Sequence, residues 1–471
     1  MTDILLTHSN HLYFDPKQVR KMQPYPPLQT LIAGALLRSR GWSVALFDST
    51  FTEPEDGFRD ALERHRPALV VVAEDNFNFL TKMCLVRNRE VAFAYAAAAR
   101  RAGVPAVVNG SDAADRAAEY LAAGFHSVII GELEETLVEF CAAGPDRARG
   151  IGGVVSRDAT GPARRPVADL SALPPPAWDL VNIDAYRAAW RAAHGYFSLN
   201  LVSSRGCPFR CNWCAKPIYG STYRFHPPNV VARQMHHVKR EFHPDMIWFA
   251  DDIFALSRQW TAEFAAAVER LDARIPFRMQ SRCDLMTRDT VRDLHRAGCA
   301  EVWMGAESGS QRILNAMDKG ISVEEIRAAC RNARANGIRV CLFLQFGYPG
   351  ETWDEIRQTI DMVRSVAPDD VGISVAYPLP NTRFHDMVRG GRWAKTNWRD
   401  SDDLDIMFRA AYTTQFYRAL ADALHAEVRT GAAEAAPLWD VVQQLEPVSR
   451  THNAPPPFRL PVLNHSASVA S

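Results

Sequence analysis

Hydrophobic residues fall in short runs along the first part of the chain, separated by stretches of helical period. Runs at 4–7, 43–47, 69–72, 105–108 and 127–130 read as strands, and the segments near 27–40, 55–65, 86–102 and 112–123 read as helices. Regular alternation of this kind implies an α/β Rossmann-like domain, a parallel sheet with helices on both faces. Such a sheet gathers its ligand loops at the carboxyl ends of the strands. Those loops are residues 9–13, 48–50, 74–79, 109–112 and 131–134.

The alternation resumes further along with a different rhythm. A small strand at 150–155 is followed by a polar stretch and then by Leu173-Pro174-Pro175-Pro176-Ala177-Trp178, a semi-rigid run that cannot join a helix or a central strand and so marks a boundary. Strands are expected next at 197–201, 246–250, 277–281, 301–305, 340–346 and 371–376, each followed by a helical stretch. The reading is therefore a Rossmann-like domain over 1–149, a linker over 150–190, a partial (β/α)6 barrel over 191–385, a C-terminal helical extension over 386–430 and a poorly ordered tail over 431–471. The extension rests on helical periodicity over 403–429, and the tail on a composition rich in alanine, proline and serine.

Composition narrows the partners. A chain of 471 residues holds two or three domains. Its 54 Lys and Arg balance its 54 Asp and Glu, which removes the electrostatic argument for a nucleic-acid surface. No apolar run approaches the roughly 20 residues that span a bilayer, so no membrane insertion is expected. No apolar signal segment opens the chain, which points to a cytoplasmic protein with reduced cysteines. No G-x-G-x-x-G follows the first strand, so a dinucleotide is not supported.

The chemistry concentrates in Ser204-Arg205-Gly206-Cys207-Pro208-Phe209-Arg210-Cys211-Asn212-Trp213-Cys214. Three cysteines sit on one tight loop with no fourth in the same run. Iron-sulfur clusters are normally held by four cysteinates, so this set leaves one iron open to a ligand from outside the protein. A structural zinc site would need a fourth Cys or His, for which His226 is the nearest downstream candidate. Cys84, Cys141, Cys283, Cys299, Cys330 and Cys341 are scattered in apolar surroundings and read as ordinary buried thiols.

The C-x3-C-x2-C spacing and the aromatic Trp213 before the last cysteine resemble the signature of radical S-adenosylmethionine (SAM) enzymes. That resemblance implies that Cys207, Cys211 and Cys214 hold a 4Fe-4S cluster, that SAM chelates the open iron, and that a flavodoxin or ferredoxin supplies electrons. It also implies SAM contacts at the strand ends: Trp213; Asp251 and Asp252 near the methionine ammonium; Ser281, with Arg282 on the methionine carboxylate; Glu307 and Ser308 near ribose and methionine; Gly347 and Gly350 in a turn approaching the adenine. Taken singly, each of these also reads as an ordinary turn residue or surface acid.

The preceding domain and its Leu-Pro-Pro-Pro-Ala-Trp-Asp linker resemble the subgroup with an N-terminal cobalamin-binding domain. That subgroup includes methyltransferases acting on carbon or phosphorus and the anaerobic magnesium-protoporphyrin monomethyl ester cyclase. Cobalamin would lie against Asn76, Asn109 and Ser111. The D-x-H-x-x-G motif that brings a histidine to cobalt is absent, since His8 and His11 lack its frame. A Rossmann-like domain that only caps the barrel stays open. The function expected from the resemblance is radical methylation of an unactivated centre in a small-molecule substrate. Cyclisation, rearrangement or ring contraction stands as the alternative, and a non-enzymatic cofactor-binding regulator as a further one. No catalytic acid or base is assigned.

Overall fold

The structure is a computed structural model and describes residues 2–391, 397–402 and 404–451. Two six-stranded sheets organise it. The first contains β1 (Ile4–Thr7), β2 (Val44–Phe47), β3 (Leu69–Ala73), β4 (Ala106–Asn109), β5 (Ser127–Ile129) and β6 (Val154–Ser156), in the order β2-β1-β3-β4-β5-β6. All pairings are parallel except that of β6, which runs antiparallel to β5. Helices cover both faces, so all five residues of β3 are buried and the strand reads as a continuous apolar run instead of an alternation. The small strand expected at 150–155 is thus the edge of this sheet, which carries the first domain past residue 149.

The second sheet contains β7 (Ser198–Leu201), β10 (Met246–Phe249), β11 (Phe277–Ser281), β12 (Cys299–Glu307), β13 (Arg339–Phe346) and β14 (Asp370–Val375). Its order, β14-β13-β12-β11-β10-β7, is wholly parallel and follows the chain without a break, as an incomplete (β/α) barrel requires. A hairpin of β8 (Ser204–Arg205) and β9 (Arg224–Phe225) leaves the end of β7.

Three expectations need correction. The helix expected at 112–123 is two, Ser111–Asp115 and Ala117–Ala123, broken at Arg116, whose φ of −128° and ψ of 34° lie outside the helical region. The helix expected over 403–429 begins only at Thr414; Asp403 itself lies outside the described residues. The segment expected to be a disordered tail from 431 contains a helix, Ala432–Val448, packed on Thr414–Thr430. Ala435 and Val442 are buried there, Trp439 donates from Nε1 to Glu427 Oε2 at 2.5 Å, and Tyr412 OH donates to Glu446 at 2.7 Å. Small apolar residues at helical spacing suffice to dock a helix even in an alanine-rich composition. Residues 452–471 lie outside the described residues.

The two domains share one interior. A single apolar cluster runs from Leu28, Leu31, Ile32 and Phe77 of the first domain into the barrel core. Beside β7, Tyr25 OH meets Ser198 Oγ at 3.0 Å, Asn200 donates to the Pro26 carbonyl at 3.0 Å and Trp190 Nε1 to the Pro24 carbonyl at 2.7 Å. The proline-bounded segment before the first long helix therefore covers the barrel's edge strand.

A buried ionic knot lies at the hairpin base. Arg205, 1% exposed, places Nη2 2.6 Å from Glu134 Oε1 and Nη1 3.4 Å from Glu132 Oε2. Arg224 Nη2 lies 2.5 Å from Glu132 Oε1. Gln29 Nε2 donates to Glu134 at 2.8 Å, and the Arg205 guanidinium faces the stacked rings of Phe77 and Tyr219. Both glutamates follow β5, so the ligand end of the first sheet is tied to the hairpin of the second domain. Removing one partner of such a buried pair strands the other charge, at a cost of about 3–5 kcal/mol. Arg205→Ala is therefore expected to lower unfolding stability by about that amount in urea denaturation, whereas Arg59→Ala, which breaks an exposed pair with Asp56, should change it by under about 0.5 kcal/mol.

Candidate functional site

The loop from Gly206 to Tyr223 is held open by backbone that only its own sequence allows. Gly206 sits at φ 79°, and a Cβ there would approach the Thr222 carbonyl oxygen to 2.4 Å, so no side chain fits. Lys216 Nζ donates to the Cys207 carbonyl at 2.7 Å and also to that of Phe209. Asn212 staples the loop's centre to the barrel: its backbone N–H donates to Met317 O at 3.0 Å, its side-chain Nδ2 donates to Ala316 O at 2.7 Å, its Oδ1 accepts from Tyr348 OH at 3.1 Å, and its backbone carbonyl accepts from Phe384 N at 3.0 Å.

On this scaffold stand Cys207, Cys211 and Cys214, all free thiols and half-buried. Burial pushes the Cys214 thiol up to about 12, with Cys211 adding to the effect, and burial raises Cys207 as well. For Cys207 and Cys214 burial outweighs the opposing pull of Lys216, so these two thiols stay protonated at neutral pH and binding metal would release their protons. Three soft donors on one prearranged loop fit an iron-sulfur cluster. Among the described residues, no three His, Cys, Asp or Glu side chains converge as ligands of one metal ion.

Cations surround the loop. Arg282, just past β11, lies with its Cζ 3.7 Å from the centroid of the Phe209 ring and Nη1 4.0 Å from Cys211 Sγ. Lys319 Nζ lies 2.8 Å from Glu307 Oε1 in a buried pair. Glu307 ends β12 at φ 59°, just after a register shift between Gly305 and Glu307. Such irregularities re-aim a side chain at a strand end. Gly305 leaves room for the pair, because a Cβ there would lie 2.6 Å from both Glu307 Oε1 and Lys319 Nζ. From the first domain, Lys82 reaches across to pair with Asp252 at the end of β10.

The other residues expected at the strand ends fall into two groups. Trp213 is packed against the barrel core with its indole Nε1 buried and unpartnered. Asp251, Ser281, Ser308 and Gly350, by contrast, are used by the fold. Asp251 is fully buried and accepts from Ser203 Oγ at 2.6 Å and Ser204 Oγ at 2.5 Å, and burial lifts its carboxyl to about 6. Ser281 donates to Phe254 O at 2.8 Å, and Ser308 Oγ receives Ser310 N at 3.1 Å. Gly350 is an exposed turn residue whose carbonyl accepts from Arg312 at 2.5 Å. Gly347, at φ 78°, has Tyr417 and Ile406 against its α-carbon, so its lack of a side chain admits the C-terminal segment. Lys82, Lys319 and Arg205 were not legible in the sequence, where isolated cations carry no spacing signal.

The first sheet presents its own polar mouth toward the barrel. Asn76 Nδ2 donates to Asn109 Oδ1 at 3.0 Å, and Asn109 Nδ2 donates to the carbonyls of Ile129 and Gly131. Asn76 Oδ1 and Ser111 Oγ are buried without partners. Orphaned polar atoms at the carboxyl ends of β3 and β4 fit a polar ligand held there. His8 Nε2 lies 3.0 Å from Asp48 Oδ1, and His11 Nδ1 lies 2.8 Å from Ser49 O, so both rings are tied to the loop after β2.

Comparison with known proteins agrees with this layout. Residues 201–363 match the family model of the Radical SAM superfamily. Curated relatives include an uncharacterized methyltransferase of Pyrococcus horikoshii, 26% identical over 54% of this chain and 54% of that protein. Another is the anaerobic magnesium-protoporphyrin IX monomethyl ester cyclase of Rubrivivax gelatinosus, 25% identical over 46% of this chain and 39% of that one. The aligned regions span about half the length of these relatives or less. Among solved structures, the radical SAM methyltransferase TsrM of Kitasatospora setae superposes with a TM-score of 0.67 at 19% identity, covering 84% of this chain and 78% of that one. The cobalamin-dependent SAM radical enzyme OxsB superposes with a TM-score of 0.70 at 15% identity, covering 95% and 71%. The shared fold is an N-terminal Rossmann-like sheet followed by a partial (β/α) barrel. Among the described residues no helix is long and apolar enough to cross a membrane.

One acid at this end of the barrel gives a pH signature. Burial lifts Glu351 to about 8, while Gly347 N donates to its Oε2 at 2.6 Å and its Oε1 has no partner. A carboxyl raised in the folded state contributes its full stability below the unfolded value near 4.5, and that contribution is lost as pH rises toward 8. Glu351→Gln is expected to flatten this part of the pH–stability curve and to be more stable than wild type at pH 8–9, measured by thermal melts across pH.

Proposed function

We propose that this protein is a radical SAM enzyme whose N-terminal domain binds cobalamin, and that it methylates an unactivated centre of a small-molecule substrate. The observation that carries the reading is the juxtaposition of two mouths: Lys82 and Phe77, after β3, touch Asp252 and Tyr219 at the cluster end of the barrel. The thiols of Cys207, Cys211 and Cys214 would hold three irons of a 4Fe-4S cluster, leaving the fourth to the amine and carboxylate of SAM. Asp252, Glu307 and Arg282 supply charge around that position, and Trp213 walls the loop. Asn76, Asn109 and Ser111 would hold cobalamin, with no imidazole from His8 or His11 reaching it. When bound, these groups supply a 5'-deoxyadenosyl radical and a transferable methyl.

The chain's own task is then to hold, orient and shield. The hairpin and the Asn212 staple fix the cluster loop, and the apolar interior shared by the two domains holds them against each other. A one-electron donor of the flavodoxin or ferredoxin type would reduce the cluster. The Pyrococcus horikoshii relative named as a methyltransferase favours methyl transfer. The relative named as a cyclase keeps radical cyclisation without methyl transfer as a second reading.

Anaerobic reconstitution with iron, sulfide and hydroxocobalamin tests the whole reading. The wild-type protein should show both a 4Fe-4S signal and a cobalamin spectrum, and should cleave SAM. Alanine at Cys207, Cys211 or Cys214 should abolish the cluster signal and SAM cleavage while circular dichroism stays native, and Cys283→Ala should leave the signal in place. A cluster persisting in Cys211→Ala contradicts the ligand set. Mass spectrometry for a product heavier by one methyl separates methylation from cyclisation.

A further inference from the structure

We infer that Arg282 sets the reduction potential of the cluster by acting on the Cys211 sulfur, a role that rests on the reading of Cys207, Cys211 and Cys214 as cluster ligands. Arg282 is 5% exposed and held on three sides. Its guanidinium lies 3.7 Å from the centroid of Phe209, a residue of the cysteine loop itself. Nε donates to Asp284 Oδ1 at 2.9 Å, and Nη2 lies 3.2 Å from Asp284 Oδ2 and 3.3 Å from Gly320 O. The third nitrogen, Nη1, lies 4.0 Å from Cys211 Sγ.

The planar fork explains why this geometry is specific. Two nitrogens are used by Asp284 and Gly320, and rigidity then fixes where the third one points. Lying across Phe209, the guanidinium cannot swing away without losing both the stack and the carboxylate. A cation and N–H donor beside a ligating sulfur favours the more negative, reduced cluster and so raises its potential. Lys319, the other buried cation nearby, is paired with Glu307 at 2.8 Å as Arg282 is with Asp284, and what sets Arg282 apart is the nitrogen it turns to the Cys211 sulfur. Arg282 is thus a positioning residue for the electron: it acts through Cys211, whatever it also does for SAM.

The test is a mediator titration of the reconstituted cluster, followed by electron paramagnetic resonance and carried out without SAM, with iron and sulfide counted in each sample. Arg282→Gln should retain its iron and shift the reduction equilibrium about tenfold toward the oxidised form, ~59 mV more negative for one electron. Arg282→Lys should shift in the same direction by less, since an ammonium keeps the charge but cannot lie flat on Phe209 or donate in a fixed plane. A fully loaded Arg282→Gln protein with the wild-type potential overturns the inference. So does a shift that appears only when SAM is added, because Arg282 would then act on the bound ligand alone. Should Arg282→Gln load no cluster, the lysine variant decides: a wild-type potential there overturns the inference, and a negative shift supports it. A wild-type protein that loads no cluster overturns the cluster reading and this inference with it.

Discussion

The buried pairing of Arg205 and Arg224 with Glu132 and Glu134 is the contact on which the rest of the arrangement depends. A parallel sheet and a partial barrel each place ligand loops at one end, but nothing in either fold alone requires those ends to meet. Here the loop after β5 supplies the anions and the hairpin that carries the cysteine loop supplies the cations. Charges this deep tolerate no large displacement, because any separation leaves them desolvated and unpaired. The orientation of the first domain and the base of the cysteine loop are therefore set by the same four side chains.

Around that fixed base, the barrel divides its strand-end residues by job. Asp251, Ser281 and Ser308 lock the ends of β10, β11 and β12 to neighbouring backbone or hydroxyls. Asp252, Arg282, Glu307 and Lys319 stand beside the thiols as charged groups in matched or near-matched pairs. Adjacent residues thus have opposite fates: Asp251 is consumed by two serines, while Asp252 meets a lysine from another domain.

Much of this was legible in the sequence. The strand at 4–7 falls where its apolar run places it, because a buried parallel strand has no polar face to blur its limits, and the strand at 277–281 falls where predicted through an alternation in which Arg278 and Gln280 are the half-buried positions. The three cysteines declare themselves by spacing. Other features depend on contacts too distant in sequence to read. Lys82 and Asp252 are 170 residues apart, and Ser203 and Asp251 are 48 apart. The helix Ala432–Val448 was hidden for a different reason: composition suggested a tail, whereas docking needed only a few apolar contacts at the right spacing and a tryptophan bonded to Glu427.

The Asn212 staple bears on how the protein acquires its cofactor. Small metal sites often fold only as metal arrives, so that binding must also meet the entropy of ordering the loop. Here Met317, Ala316, Tyr348 and Phe384 all grip Asn212, in the middle of the cysteine loop. On the proposed reading, cluster assembly would then act on a loop whose centre the barrel already anchors. A chain that has lost its iron to oxygen should then remain a competent acceptor, open to repair in place without being unfolded and made again.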